Sequence, residues 1–123
     1  MSNNNFVSID ERTKKFAIRI IKASCFLDEK PGVCRTLSKQ LLRSGTSVGA
    51  NVREAQSAES NADFIHKLQI SLKECRETQY WLEILMESEM VHPTKFNPLL
   101  QEANEIGKIL VVSINKLKQK PKS

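Results

Sequence analysis

Four segments of this chain repeat apolar residues every three or four positions for several turns, and none alternates apolar with polar residues as a half-buried strand does. Such spacing puts the apolar side chains on one face of an α-helix, and that face is stable only when another surface covers it. The divisions between segments are Pro31-Gly32, the capping pair Ser60 and Asp63, and the break Val91-His92-Pro93-Thr94. Short connections between long helices favour antiparallel neighbours. The pattern therefore predicts an all-α protein, an up-down-up-down antiparallel four-helix bundle. Its 123 residues form a single domain, 1–123, with short disordered ends and helices at about 8–28, 33–57, 61–89 and 94–119.

Ser8 with Glu11 reads as a capping box for helix 1, whose inner face is Ile9, Phe16, Ala17, Ile20, Ile21, Ser24 and Leu27. Helix 2 turns Cys34, Leu37, Leu41, Gly45, Val48, Val52 and Ala55 inward. Helix 3 does the same with Ile65, Leu68, Leu72, Cys75, Gln79, Leu82 and Met86, and helix 4 with Phe96, Leu99, Ala103, Ile106, Leu110, Ser113 and Leu117. Pro93 and Pro98 suit the beginning of helix 4, where a missing N–H costs little.

Helix 2 contains LLRSGTSVGANVREAQSAES, rich in glycine and hydroxyl residues that lower helix propensity. Two faces that need small side chains account for it. Gly45 and Gly49 remove bulk where a neighbouring backbone approaches, and Ser44, Ser47, Asn51 and Glu54 form a regular seam, the mark of a contacting face. Opposite the core of helix 3, Ile70, Glu74, Glu77, Trp81 and Ile84 form a second seam. An apolar patch left outside a lone bundle signals association, so these nine residues are the expected interface between copies. The acidic helix 3 of one copy would meet the basic helix 2 of the next, a heterologous contact that closes into a ring when the rotation permits.

The net charge is +5, and Lys116, Lys118, Lys120 and Lys122 supply four of those charges. The remaining chain is near neutral, but its cations are ordered in stripes: Arg12, Lys15, Arg19 and Lys22 on helix 1, and Arg35, Lys39, Arg43 and Arg53 on helix 2. Such stripes read phosphates rather than sequence. These eight residues, with Lys116, Lys118 and Lys120, are the candidate nucleic-acid-binding set. Base stacking is not expected, because the phenylalanines fall largely on core faces. Three cysteines without a CxxC pair read as reduced core residues of a cytoplasmic protein. The polar start and the lack of a long apolar run point away from secretion and from a membrane partner.

Enzyme readings find little here. Asp63-x-x-His66 and Glu89-x-x-His92 have the spacing of di-iron bundle ligands, but lie roughly 39 Å apart along one continuous helix and cannot share a metal. Glu74 and Glu77 read as solvated or interface charges, and no phosphate-cradling glycine loop follows a strand. The expectation is no catalytic residue, no metal and no cofactor.

The run from Ser44 to Ser88, with TSVGANVREA and YWLEIL within it, resembles the signature region of four-helix-bundle proteins encoded by intervening sequences in bacterial 23S rRNA genes. The resemblance extends to the flanking helices. It implies a compact up-down bundle without enzymatic activity that assembles as a ring-shaped homopentamer. It also implies kinship with accessory proteins of diversity-generating retroelements, basic pentamers thought to bind nucleic acid and a reverse transcriptase. Two functions remain open: an oligomer that associates weakly with RNA or DNA, or a protein scaffold with no nucleic-acid role.

Overall fold

The computed structural model describes residues 4–119. Its helices are α1 (Asn4–Asp28), α2 (Val33–Ala55), α3 (Asn61–Glu87) and α4 (Pro93–Lys118). Each packs against its neighbour in sequence and α4 also returns against α1, whereas among the described residues the backbones of the diagonal pairs stay apart. The result is the four-helix bundle expected, with α1 and α4 the least intimate of the four contacts.

Several helix ends differ from the expected ones, with the start of α1 moving furthest. The first helix begins at Asn4, so Ser8 lies inside it and is not its N-cap. Helix α3 stops at Glu87, and Glu89 then takes a left-handed φ of 64° while Met90 N–H reaches back to Leu85 O, closing the helix end. At the α1–α2 turn the left-handed position, φ 89°, is filled by Gly32, which bears it without a Cβ clash. Ser60 is the N-cap of α3, its Oγ accepting from Asp63 N–H at 3.0 Å. Ser60→Ala should lower stability by about 1 kcal/mol, read as a lower urea midpoint with unchanged slope. No change in midpoint would show that Asp63 N–H finds an equivalent partner in water.

The core follows steps of three and four on every helix. Ile9, Thr13, Phe16, Ile20, Ala23 and Leu27 are buried on α1, and Cys34, Ser38, Leu41, Gly45, Val48, Val52 and Ala55 on α2. Buried on α3 are Leu68, Ser71, Cys75, Thr78, Leu82 and Leu85. Helix α4 contributes Phe96, Leu99, Ala103, Ile106, Leu110 and Ile114. Such a repeat keeps one narrow seam facing its neighbour along the whole helix. The core face of α3 is thus rotated from the expected one: Ile65, Leu72, Gln79 and Met86 are half-buried, and Ser71, Thr78 and Leu85 lie inside. Ile21 is 45% exposed on α1, and Cys25 is exposed rather than a core residue.

Small hydroxyl residues occupy these seams because the helices come close. Ser38 Oγ donates to Ser24 O at 3.1 Å across α1–α2, and Ser71 Oγ donates to Val48 O at 2.7 Å across α2–α3. The Ser44 and Thr78 hydroxyls lie 3.0 Å apart between α2 and α3. Each removes a buried polar group from the cost column by pairing it, and among the described residues no buried side-chain nitrogen or oxygen is left without a partner. Gly45 faces Ile20 of α1, and Gly49 faces the Thr13 backbone, so the glycines of α2 are packing positions.

Candidate nucleic-acid interface

Part of the seams predicted as an interface between copies meets a partner within the chain. Ser44 has no exposed surface and lies against Thr78, so no second copy can reach it. Ser47 Oγ donates to Arg43 O, and Asn51 Nδ2 donates to Ser47 O, both along α2 itself. Glu54 accepts from Lys67 of α3 at 2.9 Å, which raises the lysine's pKa. Arg43 of α2 bridges to Glu74 and Glu77 of α3, and Trp81 Nε1–H donates to Glu77 at 3.0 Å. The pairing of a basic α2 with an acidic α3 is therefore made inside one chain. Trp81 is half-buried and packed against the core, and Ile70 and Ile84 are half-buried beside it, so a lone bundle does not leave them fully in water.

Intramolecular pairing also divides the candidate cations. Arg12 grips Glu102 of α4 through Nε at 2.6 Å and Nη2 at 2.9 Å, and this hydrogen bonding raises its pKa. Arg53 forks onto Asp10 of α1 at 2.9 and 3.3 Å, likewise raising its pKa. Arg35 donates to Asp28 O at the α1 C-terminus, at 2.9 Å from Nη2, a helix-end contact that favours a cation. Arg12, Arg43 and Arg53 therefore have their charge answered. Lys15, Arg19, Lys22, Lys39, Lys116 and Lys118 form no ion pair among the described residues and stand exposed. Lys120 lies outside the described residues.

The unanswered charge concentrates on α1, where no carboxylate occurs between Glu11 and Asp28. Beside it runs a groove of about 270 Å³ between α1 and α4, lined by Arg19, Lys22 and Phe26 from one helix and Lys95, Phe96 and Leu99 from the other. Lys95 Nζ sits 4.3 Å from the centroid of the Phe26 ring, and Lys30 Nζ 5.4 Å from it. Lys95 and Lys30 are not expected at the site, and the half-buried Phe26 departs from the expectation that the phenylalanines lie on core faces and offer no ring for stacking. They belong to separate helices and a turn, and only the antiparallel return of α4 joins them; the basic run of α1 was the legible part.

The ligand spacings suggested by sequence do not form a metal centre. Glu89 lies in the turn after α3, and His92 is the N-cap of α4, its Nδ1 accepting from Thr94 N–H at 3.2 Å. His66 is exposed on α3. Among the described residues no group of three or more His, Cys, Asp or Glu side chains could hold a metal, and no helix is long and apolar enough to cross a membrane.

These features define a class: a sequentially packed four-helix bundle with a run of exposed cations along α1 that form no ion pair among the described residues. Residues 7–112 match the 23S rRNA-intervening sequence protein family, and the chain belongs to that family. It is not a known enzyme family. Among solved structures, the chain is similar to a protein of unknown function from the S23 ribosomal protein family of Bacteroides thetaiotaomicron VPI-5482. The two share 42% identity over 90% of this chain and 98% of the other, with a TM-score of 0.84. No curated protein matches the chain.

Proposed function

We propose that this chain is a non-enzymatic cytoplasmic protein that assembles into a ring-shaped homopentamer and associates weakly with RNA or DNA through its cationic surface. The observation that carries the nucleic-acid reading is the unpaired run Lys15, Arg19 and Lys22 on a helix segment without carboxylates. In a ring each such run recurs on every copy, and contacts too weak alone gain affinity through multivalency. The edge formed by Ile70, Trp81 and Ile84, with Ser47 and Asn51 across from it, is the surface proposed to meet the next copy. It lies on the α2–α3 side and leaves the α1–α4 side free. Exposed Ile18, Ile21 and Leu42, at 45%, 45% and 39%, favour the second reading, a scaffold for a protein partner.

Two measurements test the proposal. Light scattering should return a multiple of the 14.0 kDa chain mass, and Ile70→Glu with Ile84→Glu should return it to monomer with helicity intact. Those positions are the choice because Trp81 packs against the core. A monomer in the unaltered protein would end the assembly reading. Binding to generic RNA and DNA should weaken steeply with salt, each phosphate contact contributing about 0.9 to the logarithmic slope on duplex DNA. Replacing Lys15, Arg19 and Lys22 with alanine should flatten the slope more than replacing Arg43 and Arg53, whose charges are already answered. Deleting residues 116–123 reads the share of the tail. Absence of binding to either polymer at about 50 mM salt would leave the protein-scaffold reading in its place.

A further inference from the structure

We infer that the α1–α4 groove is a site for single-stranded nucleic acid, holding one nucleotide with its phosphate on Arg19 and Lys22 and its base on Phe26. The inference rests on the nucleic-acid reading above and adds what kind of strand is bound and where. Four observations lead to it. The groove is lined by three cations and no carboxylate, so an anion entering it meets no repulsion from the walls. Its floor is apolar, formed by Phe96 and Leu99, which are 1% and 6% exposed, and by the half-buried Phe26. A purely electrostatic phosphate track needs no such floor, whereas a nucleotide presents an anion and an apolar aromatic plane together.

Size gives the third observation. At about 270 Å³ the groove lies just below the usual range of ligand clefts, about 300–1,000 Å³. It has room for about one monomer unit, and a duplex, whose bases are stacked inside the helix, cannot place a base on the ring. The fourth is the state of the Phe26 ring. Lys95 and Lys30 place ammonium groups 4.3 and 5.4 Å from its centroid. An exposed cation–π contact is weaker than a base stacked on the same ring, and an ammonium released from the ring can move to the phosphate.

Fluorescence anisotropy tests the site with a labelled oligothymidylate and a duplex of equal phosphate number, at about 50 mM salt. The single strand should bind more tightly than the duplex. Phe26→Leu, which keeps apolar fill against Phe96, should cost about tenfold in single-strand affinity and leave duplex affinity unchanged. Phe26→Tyr, which keeps the ring, should retain it. Circular dichroism should show all variants equally helical. If single strand and duplex bind alike and Phe26→Leu changes neither, or lowers both equally, the groove inference fails while the electrostatic reading stands. If the unaltered protein binds neither polymer, both fail together.

Discussion

Gly45→Ala should destabilise the fold by about 1–3 kcal/mol, although alanine is the better helix former by roughly 1 kcal/mol. The added Cβ would stand 2.7 and 2.8 Å from the two γ carbons of Ile20 and 3.2 Å from its Cβ. No real contact is that short, so something must move. Ile20 is β-branched, fully buried and confined in a helix to one dominant rotamer, so it cannot swing aside. The strain passes to the α1–α2 spacing, and with it to the Ser24–Ser38 hydrogen bonds along the same seam. Overpacking therefore outweighs propensity.

Two companion substitutions make the sign decisive. Gly107→Ala brings a Cβ no closer than 3.5 Å to Gln79 Nε2, an ordinary contact, and should stabilise by up to about 1 kcal/mol. Gly49→Ala meets Thr13 O at 3.1 Å, a backbone atom with little freedom, and should fall between the two with a small loss. Combining Gly45→Ala with Ile20→Ala should cost less than the sum of the single changes, because the conflict disappears with the branched side chain. Urea melts at one fixed protein concentration read all five variants, Ile20→Ala alone included, since assembly would make stability concentration-dependent. A Gly45→Ala variant as stable as Gly107→Ala would refute the close-approach account of α2.

These positions also show where sequence and structure part. Apolar periodicity marks the helices because water exclusion acts on every turn, and Gly45 and Gly49 stand out because nothing but close approach justifies two glycines inside a helix. The rotation of α3 is hidden for the opposite reason. Hydrophobicity selects Ile65, Leu72 and Met86 as its inner face. The chain instead buries Ser71 and Thr78, whose hydroxyls become inexpensive in the core once the carbonyls of Val48 and Glu74 accept from them. A wheel ranks residues by hydropathy and does not see these acceptors. Charge fails similarly: Arg43 and Lys39 look equivalent on α2, yet only Arg43 reaches Glu74 and Glu77, and that depends on the neighbouring helix. The α1 half of the proposed groove is legible as a basic run, whereas Phe26 and Lys95 become one site only through the bundle's closure.

Alkaline conditions should weaken the native state through Cys75, by about 2 kcal/mol between pH 9 and 11. The Cys75 thiol is fully buried on α3, with Sγ 3.2 Å from Ala103 O, and burial pushes its pKa from 9.0 up to about 11. In the unfolded chain the thiol ionises near its ordinary value. Across the intervening range the native state therefore holds a proton that the unfolded state has released, and stability falls as pH rises. Below pH 9 the contribution is complete. Cys75→Ala should be less stable than the unaltered protein at pH 8, because it loses a buried sulfur and its contact with Ala103, and the gap should narrow steadily toward pH 11. Lys67, whose pKa is raised from 10.5 by its hydrogen bond to Glu54, loses its own contribution as pH rises past its ordinary value, but it is common to both proteins and drops out of the difference. Parallel stability curves for the two proteins over this range would show that Cys75 ionises with equal ease folded and unfolded, contrary to its burial. A thiol reagent at pH 8 supplies an independent reading: Cys25, exposed on α1, should react at once, and Cys75 only as fast as the chain opens.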